Sequence, residues 1–314
     1  MTAHSWRALD LGLRRRIDSL MPGDLEGLRL GGGADPEELA RYQPGDDVRR
    51  IDWNITARSA EPHVWRPRAD NRLDTWVLVD TSPSMAFGTA ASATTADEKR
   101  DLAARIVWAL GLLTDAPGNT LGMATFGVEG IRWYRPNRSR LAAARAAQTL
   151  TGIQTRTGAG SPGLAEAITA MGARRGGPGL RVVVSDFLDP AGAAEPPFDW
   201  QGPLRRLAAR HDVIVVEIVD PRELELPDVG AVVLVDPESG RQRQVWTSDA
   251  RLRRRYRDAA AEHRAAVGVA IGHCGADHLR AGTGRDWIRD LASFLRDRQR
   301  TMRRSARSRR TVRR

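Results

Sequence analysis

The chain has 314 residues, 41% hydrophobic and 28% charged, with a single cysteine, Cys274. That length holds one large α/β domain plus an appendage, the balance is that of a globular protein, and one cysteine excludes an intramolecular disulfide framework. The formal charge of +10 is concentrated at one end: ten arginines against one aspartate from Arg296 to Arg314 account for nine of those charges, so a basic body is excluded. No apolar run of about 18 residues offers a membrane span, and Met1 to Leu13 lacks a signal-peptide core, so a cytoplasmic location is expected.

Residues 1–72 read as an N-terminal extension. Helical spacing at Leu9, Leu11, Leu13, Ile17 and Leu20 is broken by Gly31-Gly32-Gly33, and a short helix is predicted from Pro36 to Tyr42. A turn-rich stretch, Pro44-Gly45-Asp46-Asp47, leads into Arg49-Arg50-Ile51-Asp52-Trp53, and His63–Pro67 suits an edge strand because proline is tolerated there. Asp46, Asp47, Arg49, Arg50, Asp52 and Arg58 alternate in sign around Trp53. They read either as a charge network on an aromatic anchor that welds the extension to the next domain, or as a docking surface. In the second reading Trp53, Arg50 and Arg58 contact a partner, since Trp and Arg are common interface hot spots.

From residue 73 to 296 strands alternate with helices, the pattern of a mainly parallel sheet covered on both faces. Thr75–Asp80 is a buried strand, followed by a helix from Asp97 to Thr114 with Leu102, Ile106, Leu110 and Leu113 on one stripe. That helix carries Lys99, the only lysine among the chain's basic residues. Asn119–Phe126 and Ile131–Tyr134 read as a hairpin-like pair, then Arg140–Leu150 and Gly163–Met171 as helices. Leu180–Asp186 and Val213–Val219 are near-continuous apolar strands flanking a helix from Pro203 to Arg210. Ala231–Val235 pairs with Gln242–Trp246. Ser248 is expected to cap a long helix, followed by a strand near Val269–Gly272 and a last helix from Arg285 to Leu295. Residues 297–314 form a basic tail with few apolar residues, expected to be disordered and available to nucleic acid, an anionic membrane surface or an acidic partner.

Asp80-Thr81-Ser82-Pro83-Ser84 follows the first buried strand and brings one carboxylate and two spaced hydroxyls to its carboxyl end. Hard oxygen donors of this kind suit Mg²⁺, with Mn²⁺ or Ca²⁺ as alternatives, and leave coordination positions open to a partner's acidic side chain. Asp186 ends another buried strand. If the two strands are neighbours, Asp80, Ser82, Ser84 and Asp186 face one ion, because ligands of open α/β sheets collect at the carboxyl ends of the strands.

Two segments resemble a known family. Tyr42-Gln43-Pro44-Gly45-Asp46-Asp47-Val48-Arg49-Arg50-Ile51-Asp52-Trp53, followed by Ala57-Arg58, is similar to the hallmark block of the bacterial family called domain of unknown function 58. Leu78 to Met85 resembles the metal-ion-dependent adhesion site of von Willebrand factor A-type domains, and Asp286-Trp287 resembles the family's closing helix. The resemblance implies a Rossmann-like sheet, Mg²⁺ at its upper edge, no catalysis, and partnership with a MoxR-type AAA+ ATPase in chaperone-like maturation or metal insertion. It also implies a threonine in the loop before the helix at Leu164, where this chain has Pro162; Thr155, Thr157 and Ser161 are the substitutes within reach.

Rival chemistries have weaker support. An aspartyl-phosphate hydrolase, Mg²⁺-dependent, needs an acidic residue two positions after its nucleophile, where Ser82 stands. Ala159-Gly160-Ser161-Pro162-Gly163 is a loose relative of a nucleophile elbow without a preceding apolar strand. His273-Cys274 with His278 has no further Cys or His cluster to complete a soft-metal site. The expectation is a binding module rather than an enzyme.

Overall fold

A computed structural model of the chain describes residues 37–44, 46–59, 61–67, 73–88, 98–153, 162–188, 195–237 and 240–312. The helical spacing between Leu9 and Leu20, the triple-glycine break, and Thr155, Thr157 and Ser161 lie outside these residues. The extension contributes β1 (Glu37–Arg41), α1 (Trp53–Ser59) and β2 (His63–Pro67). Next come β3 (Asp74–Asp80), α2 (Lys99–Leu113), β4 (Thr120–Gly127), β5 (Gly130–Arg138), α3 (Ser139–Gly152) and α4 (Leu164–Gly172). They are followed by β6 (Leu180–Ser185), α5 (Gln201–Ala208), β7 (Asp212–Val219) and α6 (Pro221–Leu224). The chain continues through β8 (Ala231–Val235), β9 (Gln242–Trp246), α7 (Ala250–His273), β10 (Asp277–Gly282) and α8 (Trp287–Val312).

Six strands make the central sheet in the order β10-β7-β6-β3-β4-β5, parallel throughout except for β5, which runs antiparallel to β4. The chain starts the sheet at β3, builds outward through β4 to β5, then returns to the other side of β3 with β6. This is the doubly wound order, and its reversal point lies between β3 and β6. Along β3 the side chains alternate between two cores. Val77 and Val79 pack with Leu102, Ile106 and Leu110 of α2, while Trp76 and Leu78 pack with Ile168 of α4, Leu204 of α5 and Ile271 of α7. A strand buried on both faces must be apolar at every position, which is why this segment reads as an unbroken run. Each of Leu102, Ile106 and Leu110 is essentially fully buried, worth about 1.5–3 kcal/mol apiece.

Helices α2 and α3 meet through small residues. A Cβ placed on Gly111 would fall 2.1 Å from the Ala143 Cβ, so only glycine permits this approach. The alanines of α3, including Ala143, Ala146 and Ala147, are buried in the same core.

Four local expectations are corrected. Residues 37–41 form a strand rather than a helix, because all five pair antiparallel with His63–Pro67 and tertiary pairing overrides a short helical preference. Helix α7 is capped by Asp249, whose carboxylate accepts from Arg251 N at 2.8 Å, rather than by Ser248. Val269–Gly272 lies inside α7 and the following strand is Asp277–Gly282. The last helix continues past Leu295 to Val312. Arginine is a good helix former, and Arg298, buried, pairs with Asp212 and Asp277 and pins the helix to β7 and β10. Among the described residues no helix is long and apolar enough to cross a membrane.

Candidate functional site

The parallel pairing of β3 with β6 sets Val79 beside Val184, so the two strands end together. Asp80 is buried at that edge. Its Oδ1 accepts from Ser82 N at 2.9 Å, which folds the chain back and starts the short 3₁₀ turn Pro83–Ala86. The turn brings Ser82 Oγ and Ser84 Oγ to 3.0 Å, within one hydrogen bond of each other. The other Asp80 oxygen accepts from Ser185 Oγ at 2.6 Å, tying the end of β3 to the end of β6. Thr81 closes the opposite flank by donating to Phe126 O at 2.8 Å. There a Cβ on Gly127 would lie 2.7 Å from the Thr81 hydroxyl, so β4 approaches the turn as closely as glycine allows.

Asp186 follows β6 and is fully buried. Its Oδ1 accepts from Leu188 N at 3.1 Å and its Oδ2 from Lys99 Nζ at 2.7 Å. Phe187, next in the chain, has a φ of +56°, a left-handed conformation rare for a residue with a Cβ. Its buried ring is held 5.1 Å from Trp200 in an edge-on contact, and Ser185 Oγ accepts from its N–H at 3.1 Å.

Lys99 is the residue that motif reading missed. Its ammonium, fully buried at the start of α2, sits between Asp186 and Glu223 of α6 and pairs with both. Burial alone depresses a lysine, but the Asp186 and Glu223 charges outweigh it and hold Lys99 above its ordinary value. The signal in the sequence was its uniqueness: one lysine in an arginine-rich chain. The network runs on through Arg264 of α7, which donates to Asp186 O and pairs with Glu217 of β7 at 3.2 Å. Glu217 also receives His278 Nε2 at 3.0 Å and Arg280 Nε at 2.7 Å. Burial raises the Glu217 carboxyl, but these three partners together hold it below its usual range.

Asp80 is different. Burial, and next the charge of Asp186, raise it from 3.8 to about 7, against opposing hydrogen bonds from Ser185 and Ser82. Among the described residues no cationic side chain pairs with it. A buried carboxylate facing a second carboxylate, beside two hydroxyls, is a donor set that fits a hard divalent ion. Among the described residues no group of three or more His, Cys, Asp or Glu gathers into a metal cage, so an ion here would depend on the serine hydroxyls. His278 is committed to Glu217, and Cys274 Sγ lies 3.3 Å from Gln201 O, which takes both out of a soft-metal site.

The upstream block lies elsewhere. Asp47 accepts from Arg49 N at 3.0 Å, and Asp52 caps α1 by accepting from Asn54 N and Ile55 N at 3.0 and 3.1 Å. Both carboxylates accept from the local backbone, and Trp53 is 69% exposed. A ring so exposed is not packed as a buried anchor. Val64 of β2, 1% exposed, is the buried residue of this unit among those described and bridges to Ile51. Arg50 and Arg58 are exposed on the same unit as Trp53.

A doubly wound α/β domain with a carboxylate and two hydroxyls at its reversal point is therefore the class of protein this chain represents. It belongs to the family described as "Protein of unknown function DUF58", whose model matches residues 38–266. An uncharacterised protein of Mycobacterium tuberculosis is 40% identical over 298 residues, covering 95% of this chain and 90% of that one. An uncharacterised Mycobacterium avium protein is 46% identical over 137 residues, 44% of this chain and 76% of its own length. Similar solved structures include the conserved hypothetical protein BatB from Bacteroides thetaiotaomicron, with a TM-score of 0.41 and 14% identity over 72% of this chain and 98% of that one. A von Willebrand factor type A protein from Catenulispora acidiphila has a TM-score of 0.38 and 12% identity, covering 76% of this chain and 44% of its own.

Proposed function

We propose that the chain is a non-catalytic protein-binding module that holds a divalent cation, Mg²⁺ in the first instance, at Asp80, Ser82 and Ser84. The observation that carries this reading is Asp80: a buried carboxylate at the reversal point, with two hydroxyls beside it and, among the described residues, no cationic side chain on it. Bound there, the ion supplies positive charge whose remaining positions an acidic side chain of a partner can fill. Asp80 contributes the neutralising charge and the serines orient their oxygens. Asp186, held by Lys99 and Leu188 N, takes part through its charge or through water. Thr157 and Ser161 remain the candidates for a further ligand.

The partner class is an acidic protein, and the family resemblance names a MoxR-type AAA+ ATPase in the cytoplasm. Exposed Trp53, with Arg50 and Arg58, offers that partner a second contact. Phosphohydrolase chemistry is less well served, because Ser82 stands where the acid/base is needed and Lys99 is enclosed by two carboxylates.

The test is capture of the purified ATPase by immobilised chain in Mg²⁺, in excess chelator, and with Asp80→Ala. Capture is expected only for the parent in Mg²⁺, with calorimetry showing Mg²⁺ uptake lost in the variant. Equal capture in chelator, by a variant whose circular dichroism matches the parent, removes the ion from the mechanism.

A further inference from the structure

The β8–β9 hairpin stands apart from the six-stranded sheet as a two-stranded sheet of its own. Its strands pair Ala231 with Trp246, Val232 with Val245, Val233 with Gln244, Leu234 with Arg243 and Val235 with Gln242. Isolated two-stranded sheets are marginal in water, and this one exposes apolar side chains: Val233 at 55%, Val235 at 54% and Trp246 at 67%.

Hydrogen-bond alternation shows which groups its outer edge presents. Thr247 N donates to Gly230 O at 2.7 Å and Asp236 N to Arg241 O at 2.8 Å. Gly230, Val232, Leu234 and Asp236 therefore turn their backbone groups toward β9, and Ala231, Val233 and Val235 turn theirs outward. Among the described residues no backbone bond reaches that outer edge.

Other strands at sheet margins carry protection. β5 contains Arg132, Arg135, Pro136 and Arg138, and β9 contains Arg243. β10 carries Asp277 and Arg280 and packs against α8. β8 is Ala-Val-Val-Leu-Val, with no charge and no proline, the kind of edge that natural sheets otherwise blunt.

We propose that β8 is a self-association edge, through which two copies of the chain join their hairpins into one four-stranded antiparallel sheet about a twofold axis at Val233. A second copy fits better than a generic partner because the edge is complementary to itself. Antiparallel pairing about Val233 sets Val233 against the partner's Val233, and Ala231 and Val235 against the partner's Val235 and Ala231. Each such pair joins residues whose N–H and C=O both point outward, so each exchanges two hydrogen bonds. No charged side chain is placed opposite another, because Arg243 lies on the outer strand of each hairpin and Asp236 falls opposite the partner's Gly230. A membrane is a poorer occupant, since Asp236 follows directly on β8 at the hairpin tip.

The test is light scattering on the full chain across a roughly hundred-fold concentration range, since mass action makes association concentration-dependent. The parent is expected to pass from one chain to two. Val233→Lys and Val233→Glu, each setting like charges face to face at the axis, are expected to stay single, and an equimolar mixture of the two to recover the pair. Gln244→Lys, on β9 and away from the pairing edge, is expected to associate as the parent does. Matching melting curves for all variants confirm that folding is intact. A parent that is monomeric throughout, or one whose association survives Val233→Lys, overturns the proposal, as does a Lys/Glu mixture that stays monomeric; the first result leaves the edge to an extended segment of another protein.

Discussion

Replacing Lys99 with methionine tests whether the buried network organises the site. Methionine keeps most of the length of the side chain and removes only the ammonium. Asp186, fully buried, and Glu223, with a side chain 14% exposed, then lose the cation they share. Removing one partner of a buried pair costs about 3–5 kcal/mol, because the remaining charge has neither water nor a counter-ion. At about 2–4 °C per kcal/mol for a domain of this size, melting should fall by roughly 6–20 °C. Urea unfolding followed by tryptophan fluorescence measures the loss, and neutralising all three residues with Lys99→Met, Asp186→Asn and Glu223→Gln should recover most of it. The sign with pH is fixed by the raised Lys99. Its contribution is complete below the unfolded lysine value, about 10.4, and is lost only as pH climbs through the still higher folded value. The parent's Lys99 contribution should therefore be the same at pH 6 and pH 9. A variant within about 0.5 kcal/mol of the parent, the range of an unremarkable surface change, would refute the argument that this ammonium holds α2, β6 and α6 together.

Asp80→Asn should stabilise the metal-free chain at pH 8 and leave it unchanged near pH 4. The folded state keeps the Asp80 proton up to about 7, so the parent loses stability as pH rises from about 4 to 7, by up to roughly 4 kcal/mol. A gain at pH 8 no larger than at pH 4, in parallel urea titrations, contradicts the assigned burial. Gly111→Val should lower stability by about 1–3 kcal/mol or more through overpacking against Ala143, read by thermal melting. Trp53→Ala should weaken ATPase capture at least ten-fold, about 1.4 kcal/mol or more, without moving the melting temperature; an equal loss of stability would return Trp53 to a structural role. Truncation after Met302, which spares the Arg298 pairs, should abolish any salt-sensitive retention on nucleic acid; retention that persists assigns it to the body.

Several elements could be read without coordinates because their causes are local. Trp76–Val79 and Val182–Val184 are apolar at every position because both sides of their strands are covered. The Asp80-x-Ser82-x-Ser84 spacing needs only a backbone turn to bring its hydroxyls together, and the bond from Ser82 N to Asp80 makes that turn. The hairpin at Ala231–Val235 and Gln242–Trp246 was legible from two β-rich runs around a turn. Local pattern misled where a distant partner decided. Residues 37–41 became a strand only because His63–Pro67 lay alongside them, and Val269–Gly272 stayed helical because α7 packs through Val267, Ala270 and Ile271.

Sequence by itself determined the alternation of strands and helices, the carboxylate and hydroxyls after the first buried strand, and the segregation of positive charge toward one end. These follow from residue types within a few positions of one another. Only the tertiary structure decided that Lys99 would meet Asp186 across 87 positions of chain, leaving Asp80 a buried carboxylate with no cationic side chain on it among the described residues. That outcome depends on strand order: β6 returns to lie beside β3, which places both acidic ends at one edge and the start of α2 above one of them. The energy that favours the arrangement is electrostatic attraction in a poorly solvated interior, and it acts between groups whose proximity no local spacing records.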